Sequence, residues 1–437
     1  MFNRLGGAIH RAVAATLHND LSRRGEAGLR RVAPWAWNGL EPFLARLPQL
    51  AKTIRAPQTE TGHARLLIDV STTARMPATL SGIQRTVRSL SRALNREAAN
   101  YPLGPLPVRI EHVRGAMWEL RATPGFPDDI TTRGPIAIRP GDILLMLDST
   151  WIFYGAFARS VFPVVKKQGG RIITCVYDIL PVTHPQFFRK RDVAIFNSWF
   201  HDALKESDAL LTISNATRAE VDRYSNGALP IDFFHLGADF MQMPQLDKPR
   251  NGFIADEGPL FLMVGTIEPR KGHAVALDAF EMLWRKGSQA RLAIVGSEGW
   301  NVAPLLRRIR RLAKYEPRFS FFPRVSDGAL WLLYEQATAI IAASLAEGFG
   351  LPVIEAMMRG KPVVASDIPA FLEVGAGHPI FFPVGNAEAL AAAVEVLARG
   401  PIATTRPSSK DWLSWNQSAD MLMDRIFSLS QLGPPRL

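Results

Sequence analysis

Short apolar runs alternate with amphipathic stretches along most of the chain. RLLIDVS (65–71), VRIEHV (108–113), DILLMLD (142–148), RIITCVYD (171–178) and ALLTIS (209–214) read as strands. SGIQRTVRSLSRALNRE (81–97), FPVVKKQG, WFHDALKESD and NATRAEVDRY read as helices between them. Ser81 and Gln84 make a capping-box pattern, with Gly82 in the first turn. IDFFHLGAD (231–239) reads as the last strand of this half. MPQLDKPRNGFIADEGP (243–259), rich in Pro, Gly and charge, predicts a linker. The alternation then restarts. PLFLMVG (259–265), RLAIVG (291–296), FSFFPRV, TAIIAAS (338–344) and PVVAS (362–366) read as strands, each followed by a helical stretch. DWLSWNQSADMLMDRIFSL (411–429) predicts a closing amphipathic helix.

Buried strands alternating with helices predict parallel α/β sheets, here two of them in one chain. The expected fold class is therefore α/β, with two Rossmann-like domains facing a central cleft and a helical N-terminal extension. The expected divisions are 1–63 (basic extension), 64–244 (first domain), 245–410 (second domain) and 411–437 (closing helix). Ligands of open α/β sheets bind outside the carboxyl ends of the strands, so the cleft-facing loops are where chemistry belongs.

Composition narrows the class. The chain has 437 residues, 47% of them hydrophobic, and one cysteine, Cys175, so no internal disulfide can form. That fits a reducing, cytoplasmic compartment. No charge-free apolar run is long enough to span a bilayer. The net charge of +11 gathers in the first 60 positions and in LLRRIRRLAKYEPR (305–318). No zinc-finger or RNA-recognition spacing accompanies it, so nucleic acid is not an expected partner. WAWNGLEPFLARLPQLAKTIR (35–55), with tryptophan beside arginine, suits the surface of an anionic membrane, and also suits packing on its own protein.

Two stretches carry chemistry. In VGTIEPRKGHAVALDAF (264–280), Gly265, Thr266, Glu268, Arg270 and Lys271 lie between a strand end and a helix start. A glycine there admits a ligand to the backbone, and adjacent cations can neutralise a diphosphate. In EGFGLPVIEA, Glu347 and Glu355 flank a Gly-Phe-Gly turn and a proline suited to a helix start. The N–H groups from Gly348 through Phe349 and Gly350 to Leu351 would face an anion at a helix N-terminus. A carboxylate beside a phosphate is repulsive unless it faces hydroxyls. The two glutamates therefore predict sugar rings on either side of a diphosphate.

Together the two stretches resemble the family 4 retaining glycosyltransferases of the GT-B fold, over roughly 65–430. GIQRTVR (82–88), VYDILPVTHPQFF (176–188), LLTISNATRAEV (210–221) and KPVVASDIPAFLEV (361–374) share in the resemblance, which is strongest to bacterial surface-polysaccharide mannosyltransferases. It implies that Arg270 and Lys271 hold the donor diphosphate, Glu355 the nucleotide ribose, and Glu347 the transferred sugar. It further implies that Gly82, Ser214 and the Gly348–Leu351 backbone line the donor site, with Asp178 a polar candidate beside them. Tyr177 stands where relatives often carry histidine, and His184 lies nearby in the chain. No Asp-x-Asp or His/Cys metal spacing occurs, which predicts metal-independent transfer without a cofactor. The expected partners are a nucleoside-diphosphate sugar, a glycan or lipid-linked acceptor, and an anionic membrane at the inner face. The alternatives are a degenerate glycosyltransferase-like scaffold, or a phosphorylase or hydrolase on the same fold.

Overall fold

The computed structural model describes residues 63–76, 82–113, 118–238, 258–400 and 412–431. Expectations for the N-terminal extension up to residue 62, for Ser81 and for most of the linker therefore fall outside the described residues.

The first lobe is built on seven strands: β1 (Arg65–Asp69), β2 (Gly104–His112), β3 (Trp118–Ala122), β4 (Ile143–Met146), β5 (Arg171–Val176), β6 (Ala209–Thr212) and β7 (Ile231–Phe233). Their order is β3-β2-β1-β4-β5-β6-β7. All neighbours are parallel except β2 and β3, which pair antiparallel from Val108↔Ala122 to His112↔Trp118. The apolar pattern does not single out WELRA as a strand, because charged and apolar residues interleave there and an edge strand is only half covered. IDFFHLGAD supplies a shorter strand than expected, ending at Phe233.

The helices of this lobe are α1 (Ser71–Arg75), α2 (Gly82–Arg96), α3 (Tyr154–Ser160), α4 (Phe162–Lys167), α5 (Leu180–Thr183), α6 (Lys190–Glu206) and α7 (Asn215–Ser225). Alternate strand residues serve opposite faces of the sheet. Leu66, Ile68, Leu145 and Ile173 join one core, while Leu67, Leu144, Met146 and Ile172 join the other. This is why the central strands read as unbroken apolar runs.

The second lobe carries β8 (Leu260–Val264), β9 (Arg291–Val295), β10 (Phe319–Phe322), β11 (Ala339–Ala342), β12 (Val363–Ser366) and β13 (Ile380–Phe382) in the order β10-β9-β8-β11-β12-β13. Its helices are α8 (His273–Arg285), α9 (Ala303–Tyr315), α10 (Asp327–Gln336), α11 (Leu351–Met358), α12 (Pro369–Gly375) and α13 (Ala387–Ala398). Helix α14 (Trp415–Gln431) returns to the first lobe and packs on α2. Its Trp415, Leu422, Met423 and Ile426 belong to a core that also contains Leu90 of α2 and Val353 of α11, so one apolar mass runs through both lobes.

In each sheet the strand order reverses beside the first strand, between β1 and β4 and between β8 and β11. Such a switch point opens a crevice at the carboxyl edge, because the two loops leaving it turn to opposite faces. In the second lobe those loops are Gly265–Gly272, after β8, and Ala343–Gly350, after β11. They hold the two stretches singled out in the sequence.

Candidate active site

The two loops are fastened to each other. Leu345 N–H donates to the Arg270 carbonyl at 2.7 Å. Gly272 has φ +69°, and a Cβ there would lie 1.8 Å from the Ala343 carbonyl oxygen. Only glycine lets the turn after Lys271 press so closely on the end of β11. That constraint fixes the height of both cations above the sheet, and the apolar pattern gave no hint of it.

Glu347 lies between the cations. Its Oε2 accepts from Arg270 Nη1 at 2.5 Å. Its Oε1 accepts from Lys271 Nζ at 2.5 Å and from Ser344 Oγ at 2.8 Å. Glu268 Oε2 lies 2.9 Å from Arg270 Nε on the other side. Burial pushes the Glu347 carboxyl up, but Arg270 and Lys271, with donation from Lys271 and Ser344, outweigh burial and hold it down to about 2. It is an anion at neutral pH. Burial disfavours charge on Arg270, yet Glu347, Glu268 and Asp178 around it more than restore its affinity for the proton. Glu268 was named in the sequence as part of this loop without a role, and Ser344 was not singled out. The signal for Ser344 is position alone, three residues before Glu347.

The first lobe closes over this cluster. Asp178, just past β5, is near enough to feel Arg270, Glu347 and Lys271. Burial raises its carboxyl above the usual range, against the pull of Arg270 and the N–H of Leu180. Gly348 meets the same segment: a Cβ on it would sit 2.2 Å from the Tyr177 carbonyl oxygen and 3.0 Å from Asp178 Cβ. Gly350 has φ +124° and backs onto Phe371, whose ring carbons would lie 2.8 Å from a Cβ. These two glycines are explained by contacts within the protein, whereas the sequence suggested approach to a ligand. Around Gly82 the reverse holds, since a Cβ there meets nothing within 4 Å. Gly265, at φ +150°, looks toward Lys271 across 3.9 Å, and Thr266 beside it is half-buried.

Ser214 does not turn its hydroxyl to an open cleft. It caps α7 by accepting from Thr217 N–H at 3.0 Å, and donates to the Gly348 carbonyl at 2.7 Å. Thr217 Oγ1 donates to the same carbonyl at 3.1 Å. Glu373 of α12 then reaches across from the second lobe and accepts from the N–H groups of Asn215 and Ala216, both at 2.7 Å. His235 Nε2 lies 2.6 Å from the same carboxylate. A carboxylate at a helix N-terminus is favourable, and here it joins the lobes. On the far rim, Trp300 Nε1 donates to the Phe187 carbonyl at 2.9 Å and its ring stacks on Phe188.

Tyr177 is buried and donates its hydroxyl to the Leu147 carbonyl at 3.0 Å, so its polar end serves the first lobe's interior. His184 pairs with Thr183 and stacks on Phe187. Phe349 and Leu351 pack with the shared core, and the Phe349 ring lies against His235. Glu355 occupies a separate position on α11. It is buried, and it is met by Arg85 Nη2 from α2 of the first lobe and by Tyr334 OH at 3.4 Å. Glu355 is thus met from the opposite lobe by Arg85, and Arg270 feels the charge of Asp178 there.

Such a site can hold an anion with two fixed cations, and hydroxyls with two ionised or ion-paired carboxylates. Glu347 Oε1 accepts two hydrogen bonds and Oε2 one, leaving about one of roughly four acceptor positions for a further donor. Among the described residues no cluster could hold a metal ion.

Residues 245–410 match the model of the glycosyl transferases group 1 family. The serotype-specific mannosyltransferase WbdA of Escherichia coli is 32% identical over 386 residues, which are 83% of this chain and 46% of that protein. The chain thus spans about half the length of the curated relatives of this kind. Among solved structures, a glycosyltransferase from Rickettsia africae superposes with a TM-score of 0.58 at 17% identity, covering 85% of this chain and all of that one. Anabaena Alr3699/HepE, solved with UDP and glucose, superposes with a TM-score of 0.53 at 13% identity over 84% of this chain and 98% of that one. At such identities the structures speak for the fold, which is the two-lobed GT-B architecture.

Proposed function

We propose that this chain, whose residues 245–410 match the glycosyl transferases group 1 family, moves a sugar from a nucleoside diphosphate to a hydroxyl of a glycan or lipid-linked acceptor. The product is part of a surface polysaccharide, and the configuration at the transferred carbon is retained. Similarity to WbdA, a mannosyltransferase by name, favours mannose as the sugar, and the resemblance makes GDP-mannose the donor we propose.

The observation that carries the reading is the Arg270–Lys271–Glu347 cluster at the switch point of the second sheet, closed from the other side by Asp178. As the glycosidic bond breaks, negative charge grows on the departing diphosphate. Cations already held in place stabilise that charge without reorganising, so they act on the transition state more than on the bound donor. Glu347 has two parts. It holds Arg270 and Lys271 in position, and its remaining acceptor capacity takes a hydroxyl of the transferred sugar. Glu355 accepts from the ribose. The departing phosphate takes the acceptor proton on the same face of the sugar, so no protein nucleophile is required and no metal is assigned. Closure of the lobes keeps water from the reacting carbon.

A thermal-unfolding screen of GDP-mannose, UDP-glucose and dTDP-rhamnose tests the proposal, because a ligand of the native state raises its apparent stability. GDP-mannose is expected to raise the midpoint, by an amount that grows with concentration. No response to any sugar nucleotide would speak against the reading and for a phosphorylase or hydrolase.

The location we propose is the cytoplasmic face of an anionic membrane, reached through the basic residues of the first 60 positions. Among the described residues no helix is long and apolar enough to cross a membrane. Flotation with phosphatidylglycerol vesicles is expected to carry the full chain upward and to leave behind a chain lacking residues 1–60. Equal flotation of the two would remove the N-terminal region from the proposal.

A further inference from the structure

Glu355 is buried in a fixed setting. Arg359 donates to its backbone carbonyl at 3.1 Å, and the Arg359 guanidinium lies 4.5 Å from the Tyr334 ring centre and 4.6 Å from that of Trp331. Tyr334 is fully buried, so the wall behind Glu355 cannot shift without disturbing the second lobe's core. The side chain of Arg85, which meets Glu355 Oε1 from in front, is 39% exposed, whereas that of Glu355 is 5% exposed. The second-lobe member of the pair is the buried one, and the first-lobe member is the more exposed.

A buried carboxylate deprived of its partner is costly, so Glu355 is stabilised by the cation beside it. The second lobe does not send Arg270 or Lys271 to Glu355, since both are engaged at Glu347. The cation comes instead from α2, one turn after Gly82, whose surroundings are open. We infer that Arg85 is a positioning residue that competes with the donor for the ribose-reading carboxylate and yields it when the donor binds. It acts through Glu355 and so sets how tightly the nucleotide binds. The inference rests on the reading of Glu355 as the ribose contact.

The competition has a sign. Ribose hydroxyls must displace a charge-assisted hydrogen bond, so the interlobe pair subtracts from donor affinity. Titration calorimetry of GDP and of UDP into the full chain tests this with wild type, Arg85→Gln, Glu355→Gln and the double variant. Arg85→Gln is expected to tighten nucleotide binding by about fivefold, as befits a half-exposed ion pair. Glu355→Gln is expected to weaken binding by about tenfold, as loss of an ionised acceptor would. In the Glu355→Gln background, Arg85→Gln is expected to change nothing, a result that a merely structural role for Arg85 does not produce.

If Glu355→Gln weakens binding but Arg85→Gln leaves it unchanged or weakens it too, Arg85 is no competitor and the ribose reading stands. If Glu355→Gln binds as wild type does, the ribose reading and this inference fall together. Arg85→Lys, which keeps the charge without the planar fork, decides the matter if Arg85→Gln does not fold. A smaller gain of the same sign supports the inference and no gain overturns it.

Discussion

Arg270→Ala is expected to lower kcat/KM for sugar transfer by on the order of 10²–10³, the usual cost of one preorganised contact to a developing anion. The loss arises in two ways. The guanidinium itself disappears from the place where, in the proposed reading, the diphosphate gains charge. Its removal also frees Glu347 and Glu268, which it now holds from both sides. Two buried carboxylates then face the donor phosphate with only Lys271 between them, and repulsion replaces attraction. Breaking a buried pair costs about 3–5 kcal/mol of stability, so the comparison belongs at a temperature where circular dichroism finds both proteins folded. Lys271→Ala serves as the second variant. It leaves Glu347 Oε2 on Arg270 and Oε1 on Ser344, and a smaller loss is expected. Transfer by Arg270→Ala within a few-fold of wild type would remove the cation from the mechanism.

The second large effect is steric. Gly348→Ala places a methyl group 2.2 Å from the Tyr177 carbonyl oxygen, well inside contact distance. Both sides of that contact are backbone, so no side-chain rotation relieves it. The lobes must separate, and as they do Ser214 and Thr217 lose the Gly348 carbonyl that both hold. Each lobe keeps its own sheet, and the Arg270–Lys271–Glu347 cluster, which belongs wholly to the second lobe, stays intact. Displacement of about 1 Å between reacting parts costs roughly 10² in rate. The expected result is a fall of that size in kcat with nucleoside diphosphate affinity changed much less. An equal loss in both would mean that the substitution unfolds the loop and leaves the closure unexamined.

These effects define what the chain's sequence made legible. Apolar periodicity is strong where a strand is covered on both faces, and the central strands of both sheets stand where Leu-, Ile- and Val-rich runs stood. It is weak at the edges, which is why Trp118–Ala122 and Ile380–Phe382 went unread. Arg270, Lys271 and Glu347 were legible as chemistry because charged residues at a strand end have no role in an apolar core. Their mutual ion pairing was not, since it depends on two loops lying side by side at a switch point. Contacts between the lobes were the least visible. Glu373 lies far along the chain from Asn215, and nothing local in either segment marks the carboxylate as the cap of a helix in the other lobe. Arg85 stood within the quoted GIQR stretch, yet only its meeting with Glu355 gives it a part. Gly348 shows a different limit. A glycine required by another backbone and one required by a ligand look the same in sequence.

Tyr177 stands where the resemblance led to the expectation of a histidine. Its hydroxyl is turned to the Leu147 carbonyl within the first lobe. The polar group that reaches the cation cluster from this strand end is its neighbour Asp178, whose raised carboxyl reflects burial first and the nearby charges second.

The account rests on a pair of cations that grip a diphosphate in the crevice between two lobes. Titration calorimetry with GDP and UDP, on wild type and on an Arg270→Ala, Lys271→Ala double variant, examines that grip directly. The account predicts saturable binding of at least one nucleotide to wild type and its loss in the folded double variant. Undiminished binding by the double variant would contradict it.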